Sequence, residues 1–179
     1  VLTYATHTSG FYENLINNDH NIKVITLGYG VKWNGLRDKP RAVLNYLTYI
    51  PDEDIVIFLD GFDTIINKPL EIVLQRFDEL TKDTKNKVLL SKEQCYNEQK
   101  NIFFKIFFKY FQYKVYNYKN NIIVNSGLYM GYVKNVKMLL YAHKYNDNPN
   151  VDQILMNKVY PQYDFIKIDM NNRIFFNCP

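Results

Sequence analysis

The chain has 179 residues, of which 47% are hydrophobic, so the composition argues against an intrinsically disordered protein and suits one domain with a buried core. The formal net charge of +4 agrees with an anionic small ligand as well as with a weak nucleic-acid contact, and it does not separate the two. No run of about 18 apolar residues predicts a membrane span, and the first residues lack the pattern of a signal peptide.

Short apolar runs bounded by turn residues predict six strands. In chain order they are Val1–Thr6, Lys23–Leu27, Asp54–Leu59, Lys87–Leu90, Ile122–Val124 and Asp164–Ile168. Apolar residues at helical spacing predict four helices, which are Arg41–Tyr49, Leu70–Leu80, Val133–His143 and Val151–Val159. Because strands alternate with helices, we expect an α/β fold with a mostly parallel central sheet flanked by helices. Such sheets bind ligands at the carboxyl ends of their strands.

Residues 100–119 form a segment rich in aromatic residues and lysine, with nine aromatic residues between Phe103 and Tyr118. We interpret it as a helix packed on the core, followed by an irregular stretch. A surface that binds an acceptor or a membrane is the alternative. Single-stranded nucleic acid would also suit aromatic residues and lysines, but no nucleic-acid module accompanies the segment, and we expect no nucleic-acid partner.

The strongest local signal is Ile55–Asp63, where an apolar strand ends in Asp60 and Asp63 follows three residues later. Two carboxylates that leave one strand end across a tight turn can converge on one point. Carboxylate oxygens are the ligands that Mg²⁺ and Mn²⁺ prefer. Such a metal would stabilise the phosphate leaving group of a nucleotide sugar as a Lewis acid. The alternative is an ordinary turn after a strand, and the motif alone does not decide between the two.

Six short motifs occur one after another along the chain. They are Leu27–Gly35, Lys39, Phe58–Asp63, Asn125–Gly127 with Gly131, Asp152–Gln153 and Arg173–Phe175. Over Val1–Asn177 the chain resembles the glycosyltransferase domain of the procollagen lysyl hydroxylases (procollagen-lysine 2-oxoglutarate dioxygenases) and their viral relatives. The resemblance implies a GT-A fold, UDP-galactose or UDP-glucose as the donor, and Mn²⁺ or Mg²⁺ as the cofactor. The implied acceptor is hydroxylysine, or galactosyl-hydroxylysine, of collagen-like protein.

The resemblance also implies roles for individual residues. Asp60 and Asp63 match the metal-binding acids of the family. The residues matching its nucleotide site are Tyr4, Thr6, Trp33, Lys39 and Phe62, of which Phe62 lies where the family stacks an aromatic ring on uracil. The catalytic candidates are Asp152, Asn125 and Glu93, the last because it follows a predicted strand. Each residue has a structural alternative, such as a surface lysine for Lys39, a turn for Asn125–Gly127 and a helix cap for Asp152.

The chain departs from the family pattern in three ways. The acidic run of the family is reduced to Asp147 and Asp152, and Tyr96 replaces a tryptophan. The family's third metal ligand, a histidine in a His-Gly-Asn-Gly segment, has no counterpart. The three histidines, none in a matching context, are His7, His20 and His143. We therefore expect residues 1–179 to form a single GT-A-like domain that is either truncated at its C terminus or completes its metal site differently.

Two functions from different classes follow from these observations. The first is a metal-dependent glycosyltransferase that moves a hexose from a UDP-sugar to a hydroxyl acceptor, with hydroxylysine as the implied acceptor. The alternative is a non-catalytic module of the GT-A fold that binds a nucleotide weakly or binds a protein partner. A nuclease or nucleotidyltransferase would need a third acid near Asp60, whereas Asp52 and Asp54 lie at the other end of that strand. The sequence leaves the oligomeric state and the localisation unknown, with host cytoplasm or virion as the expectation for a viral source.

Overall fold

A computed structural model of the chain describes residues 1–82, 87–93, 103, 106, 110, 122–144 and 152–177, with the side chains of 142–144 left out. Within residues 100–119 it describes Phe103, Ile106 and Tyr110, which are helical and exposed. The rest of that aromatic segment, together with Tyr96 and Asp147, lies outside the described residues. The interpretation of the segment as a helix followed by an irregular stretch therefore stays a prediction.

The described part of the chain forms one six-stranded sheet. Its strands are β1 (Leu2–Tyr4), β2 (Ile25–Leu27), β3 (Ile55–Asp60), β4 (Val88–Lys92), β5 (Val124–Tyr132) and β6 (Ile166–Asp169). Their spatial order is β2-β1-β3-β5-β4-β6. The pairs β1–β2, β1–β3 and β4–β6 are parallel, whereas β5 is antiparallel to both β3 and β4. The predicted α/β fold with a mostly parallel sheet flanked by helices is confirmed.

The described helices follow the sequence prediction closely. They are α1 (Tyr12–Ile16), α2 (Asp38–Leu47), α3 (Leu70–Thr81), α4 (Val133–Lys144), α5 (Asp152–Val159) and a 3₁₀ turn at Tyr160–Gln162. The start of α2 precedes the predicted one because Pro40 is accepted within a first helical turn. The prediction missed α1, since five residues are too few to show a helical repeat. No described helix has both the length and the apolar character needed to cross a bilayer.

Strand β3 is covered by helices on both faces of the sheet. Val56 and Phe58 point into a core formed with α2, α4 and α5, whereas Ile57 and Leu59 point into a core formed with α1 and α3. Because successive side chains of a strand point to opposite faces, a strand covered on both faces must be apolar throughout. Burial on both faces therefore explains the uninterrupted apolar run before Asp60.

Strand β5 is the main departure from the sequence prediction. Only Ile122–Val124 was expected to be extended, and Asn125–Gly127 was expected to follow the strand, but β5 has nine residues and includes all of Asn125–Gly127. Because Asn125 and Ser126 are polar, the sequence pattern does not indicate that the strand continues past Val124. Since β5 runs against β3 and β4, its first residues lie at the edge where those strands end, as the Val124–Lys92 pairing shows. That edge carries the candidate site, and polar side chains are therefore tolerated there.

Candidate functional site

The candidate residues gather at the carboxyl edge of the parallel strands. Tyr4 ends β1 and Asp60 ends β3, and the two residues are register partners. The loops that follow these strands therefore run side by side, and the backbone N–H of Phe11 donates to the carbonyl oxygen of Phe62 at 2.8 Å. Gly10 permits this approach, because it has a φ of 54° and a Cβ at this position would overlap the Phe62 carbonyl. The loop after β1 thus holds the turn that carries Phe62.

A first cleft of about 340 Å³, called the Tyr4 cleft, opens at this edge. Its lining is Tyr4, Thr6, His7, Trp33, Leu36, Lys39, Asp60, Phe62 and Asp63. All the residues predicted to bind nucleotide or metal lie in this lining. Tyr4 and Trp33 form a tilted ring pair with centroids 5.7 Å apart. Trp33 and Phe62 remain 43% and 37% exposed, so each can offer a ring face to a ligand.

A second cleft of about 260 Å³, called the Asn125 cleft, adjoins the first. Its lining is Leu36, Lys39, Asp60, Asn125, Ser126, Gly127, Asp152, Gln153 and Ile154. The two clefts share Leu36, Lys39 and Asp60, so these residues form the wall between them. The arrangement can hold two ligands side by side with Asp60 facing both.

Lys39 links the acids of the two clefts. Its Nζ lies 2.8 Å from Asp60 Oδ1 and 3.4 Å from Asp152 Oδ2, and its side chain is only 13% exposed. Burial by itself would lower the pKa of Lys39, but the carboxylates of Asp60 and Asp152 outweigh burial and raise it. Lys39 is therefore a largely buried, ion-paired lysine in the wall between the clefts. Its interpretation as a solvated surface lysine is wrong.

Asp63 lies in the exposed turn after β3, on the side of the Tyr4 cleft. Partial burial raises the pKa of Asp63, and the nearby charge of Asp60 raises it further, while Lys39 opposes both. The two carboxylates therefore sense each other's charge. No group of three or more histidine, cysteine or acidic side chains suited to a metal ion occurs in the described part of the chain. Two carboxylates completed by phosphate oxygens and water are nevertheless a usual site for Mg²⁺, so Asp60 and Asp63 fit a divalent cation bound together with a diphosphate.

Asp152 begins α5 and is buried, with 5% of its surface exposed. Its Oδ1 accepts a hydrogen bond from the backbone N–H of Gln153 at 2.6 Å, and its Oδ2 accepts one from Ser126 Oγ at 3.2 Å. One oxygen therefore satisfies the helix start, whereas the other joins Ser126 and Lys39 at the wall of the Asn125 cleft. Asp152 therefore caps α5 and also lines the Asn125 cleft. Its catalytic role stays a prediction.

Glu93 is not part of the lining of the Asn125 cleft, but it contacts two residues that are, Asn125 and Gln153. Glu93 Oε2 accepts hydrogen bonds from the side-chain amides of Asn125 and Gln153, each at 3.0 Å. Asn125 Oδ1 accepts a hydrogen bond from the backbone N–H of Gly127 at 2.7 Å. Residues 125–127 lie within β5 where its register with β4 shifts between Leu90 and Lys92, so the Asx-type hydrogen bond occurs inside the strand and not in a separate turn after it. Glu93 acts as a shared acceptor that fixes two amides, which is more than a charge at the rim.

The sequence interpretation missed several residues of this site. His7 and Leu36 line the Tyr4 cleft, and Asn157 anchors the start of β5 through hydrogen bonds to the N–H and the carbonyl of Val124, both at 2.9 Å. For Asn157 a signal was present, because a polar residue interrupts the buried face of a short helix. For His7 the only signal was its place directly after Thr6 at the end of the first strand.

A separate cavity of about 180 Å³ lies beside α3 and is mainly apolar. Its lining includes Ile57, Leu59, Leu70, Val73 and Phe175, together with amide and cationic side chains. Among the described residues, its lining contains no carboxylate, histidine or thiol that could bind a metal or transfer a proton. We therefore locate the candidate site in the two clefts at the carboxyl edge.

Replacing Gly127 with alanine should disturb the site without unfolding the sheet. A Cβ at this position would overlap Asp60 Oδ2, so the carboxylate must move away from Lys39. For the UDP and Mn²⁺ binding that the resemblance implies, we expect the affinity measured by calorimetry to weaken by about tenfold, which corresponds to about 1.4 kcal/mol. Unchanged affinity in Gly127→Ala would show that the position of Asp60 does not matter for binding.

Gly131→Ala is the matched control in the same strand. Its new Cβ would lie 2.7 Å from the carbonyl oxygen of Lys87, and Gly131 lines neither cleft. This variant should lower the melting temperature because the backbones of β4 and β5 are forced apart. The UDP affinity of the folded protein should stay that of the wild type.

Two comparisons with known proteins cover nearly the whole chain. A family model described as PLOD GT domain matches residues 1–178. The chain is also similar to the procollagen-lysine,2-oxoglutarate 5-dioxygenase of Drosophila melanogaster, with 27% identity over 195 residues. That alignment covers 99% of this chain but 25% of the relative, so the chain spans about a quarter of the relative's length. This similarity therefore does not show that the chain has the activity of the whole relative.

Proposed function

Because this chain belongs to the PLOD GT domain family, we propose that it is a metal-dependent hexosyltransferase that moves galactose or glucose from a UDP-sugar to a hydroxyl acceptor. The predicted relationship to the glycosyltransferase domains of procollagen lysyl hydroxylases is confirmed by the match over residues 1–178. The sugar, the metal and the acceptor are parts of the proposal. The observation that supports it most is the pair of adjoining clefts with Asp60 in their common wall.

The Tyr4 cleft is proposed to take the UDP part of the donor. Phe62 and Trp33 offer exposed ring faces, and stacking of a base on an aromatic ring contributes roughly 1–3 kcal/mol. Asp60 and Asp63 would hold Mn²⁺ or Mg²⁺, and the ion, when bound, would stabilise the diphosphate leaving group as a Lewis acid. Lys39 supplies a further positive charge beside the place where the diphosphate would lie.

The Asn125 cleft is proposed to take the acceptor. In the transfer, a bond forms between the acceptor oxygen and the anomeric carbon, while the bond from that carbon to the phosphate oxygen breaks. Asp152 is proposed to receive the proton that leaves the acceptor hydroxyl. Asn125 is proposed to orient the acceptor, and Glu93 is proposed to hold Asn125 in place through the hydrogen bond at 3.0 Å. From the name of the Drosophila relative, we propose hydroxylysine in a collagen-like protein as this acceptor.

The test is an assay of the purified protein with UDP-, GDP- and dTDP-sugars, with and without Mn²⁺. We expect UDP-galactose or UDP-glucose to be consumed only with the metal, and a hydroxylysine peptide to gain one hexose in mass spectrometry. A peptide with lysine in place of hydroxylysine is the matched control, since it lacks the acceptor hydroxyl. UDP binding without consumption of any donor would favour the non-catalytic module. The absence of both would contradict the proposed function and the nucleotide-binding module.

A further inference from the structure

His7 has no part in the proposed chemistry, yet it forms a wall of the Tyr4 cleft. It follows β1 in the loop that is held against the turn carrying Phe62. Its imidazole and the Phe62 ring are tilted by 42°, with centroids 5.3 Å apart. His7 is exposed, so a ligand that reaches the Phe62 ring also meets the imidazole.

The orientation of the imidazole is held by its neighbour. Thr6 Oγ1 and His7 Nδ1 form a hydrogen bond of 2.9 Å. This is the only hydrogen bond of His7 among the described residues, so Nε2 is free to bind a ligand. Because the Thr6 hydroxyl can either donate to Nδ1 or accept from it, Nε2 can serve a ligand either as a donor or as an acceptor.

We propose that His7 is a base-binding residue of the Tyr4 cleft, with Nε2 hydrogen-bonded to the N3 and 4-position edge of uracil and the ring packed beside Phe62. This inference rests on the proposed function, because it assumes that the Tyr4 cleft takes the base of the donor. Uracil carries a donor at N3 and an acceptor at position 4, whereas cytosine carries an acceptor and a donor at these positions. Each base therefore offers both a donor and an acceptor along this edge, so Nε2 can bond to either one, and His7 contributes to binding of the base rather than to a choice between uracil and cytosine.

The experiment compares binding of UDP, CDP and inorganic pyrophosphate, each with Mn²⁺, to the wild type and to His7→Phe and His7→Ala. His7→Phe keeps an aromatic ring beside Phe62 and removes the hydrogen bond, so UDP affinity should fall roughly 5- to 10-fold. The affinity for CDP should fall by a similar factor, because cytosine also offers a partner to Nε2. His7→Ala also removes the ring contact and should bind UDP more weakly still. Pyrophosphate has no base, so its affinity should be unchanged in both variants.

His20→Ala is the matched control, because His20 precedes β2 at the opposite edge of the sheet and lines neither cleft. Its UDP affinity should equal that of the wild type, and melting temperatures check that every variant is folded. A UDP affinity of His7→Phe within twofold of the wild type overturns the inference. An equal loss for UDP and pyrophosphate also overturns it, since the defect would then lie in the diphosphate site. If the wild type itself binds no UDP, the proposed function fails together with this inference.

Discussion

Asp60→Asn should abolish the dependence of UDP binding on Mn²⁺ and reduce sugar transfer by about 100-fold or more, a barrier increase of about 2.7 kcal/mol. Asp60 lines both clefts and is paired with Lys39 at 2.8 Å, so its charge acts on the donor site and on the acceptor site together. Asparagine keeps the shape of the side chain but removes the charge that binds a divalent cation. Calorimetry with UDP, with and without Mn²⁺, measures the first effect, and a transfer assay measures the second.

Asp52→Asn is the matched control for that variant. Asp52 pairs with Lys137 at the same 2.8 Å, but it lies before β3, at the opposite end of the strand. Loss of this exposed ion pair should cost no more than about 1 kcal/mol of stability and leave UDP binding intact. An Asp60→Asn protein that still binds UDP more tightly with Mn²⁺ would remove Asp60 from the metal site.

Asp63→Asn should act in the same direction as Asp60→Asn. Because the two carboxylates are proposed to hold one ion, their effects should not add. The double variant should therefore bind UDP no more weakly than Asp60→Asn alone. Additive losses would mean that the two acids act on UDP independently.

Asp152→Asn should lower the rate of transfer by about 100-fold, the usual scale for a lost acid–base group, and leave UDP affinity unchanged. Asp152 faces the Asn125 cleft, whereas the residues proposed to bind UDP line the Tyr4 cleft. Asparagine retains an oxygen that can accept the hydrogen bond from the Gln153 N–H, so the start of α5 should stay intact. The cap itself should lose no more than about 1 kcal/mol, and loss of the buried ion pair with Lys39 should lower the stability further, which the melting temperature measures. The measurements are kcat for transfer to a hydroxylysine peptide, the Kd for UDP and the melting temperature.

Glu71→Gln is the matched control for Asp152→Asn. Glu71 lies in the first turn of α3 and lines neither cleft, so it tests the loss of one negative charge near a helix start. Transfer should be unaffected in this variant. Near-normal transfer by Asp152→Asn would limit Asp152 to capping α5.

Much of the secondary structure could be predicted because its causes are local. The apolar run before Asp60 predicts a strand buried on both faces, and the helical spacing in Leu70–Leu80 predicts α3 to within one residue. The length of β5 could not be predicted in this way. Its polar residues, Asn125 and Ser126, are accommodated only because the strand runs antiparallel and begins at the edge that carries the site.

The candidate acids and aromatic residues were likewise named from the sequence, since Asp60 and Asp63 leave one strand end and a resemblance supplied the others. Their grouping was decided by the tertiary structure. Parallel pairing of β1 with β3 sets Tyr4 beside Asp60, and packing of α2 and α5 on the sheet brings Lys39 to Asp60 and Asp152. The sequence by itself thus determined most of the helices and strands and placed Asp60 and Asp63 after the end of one strand. Only the tertiary structure shows that Lys39 lies between the two clefts and that His7 packs beside Phe62. These contacts join residues distant in sequence, so they depend on strand order and helix packing, which no local pattern encodes.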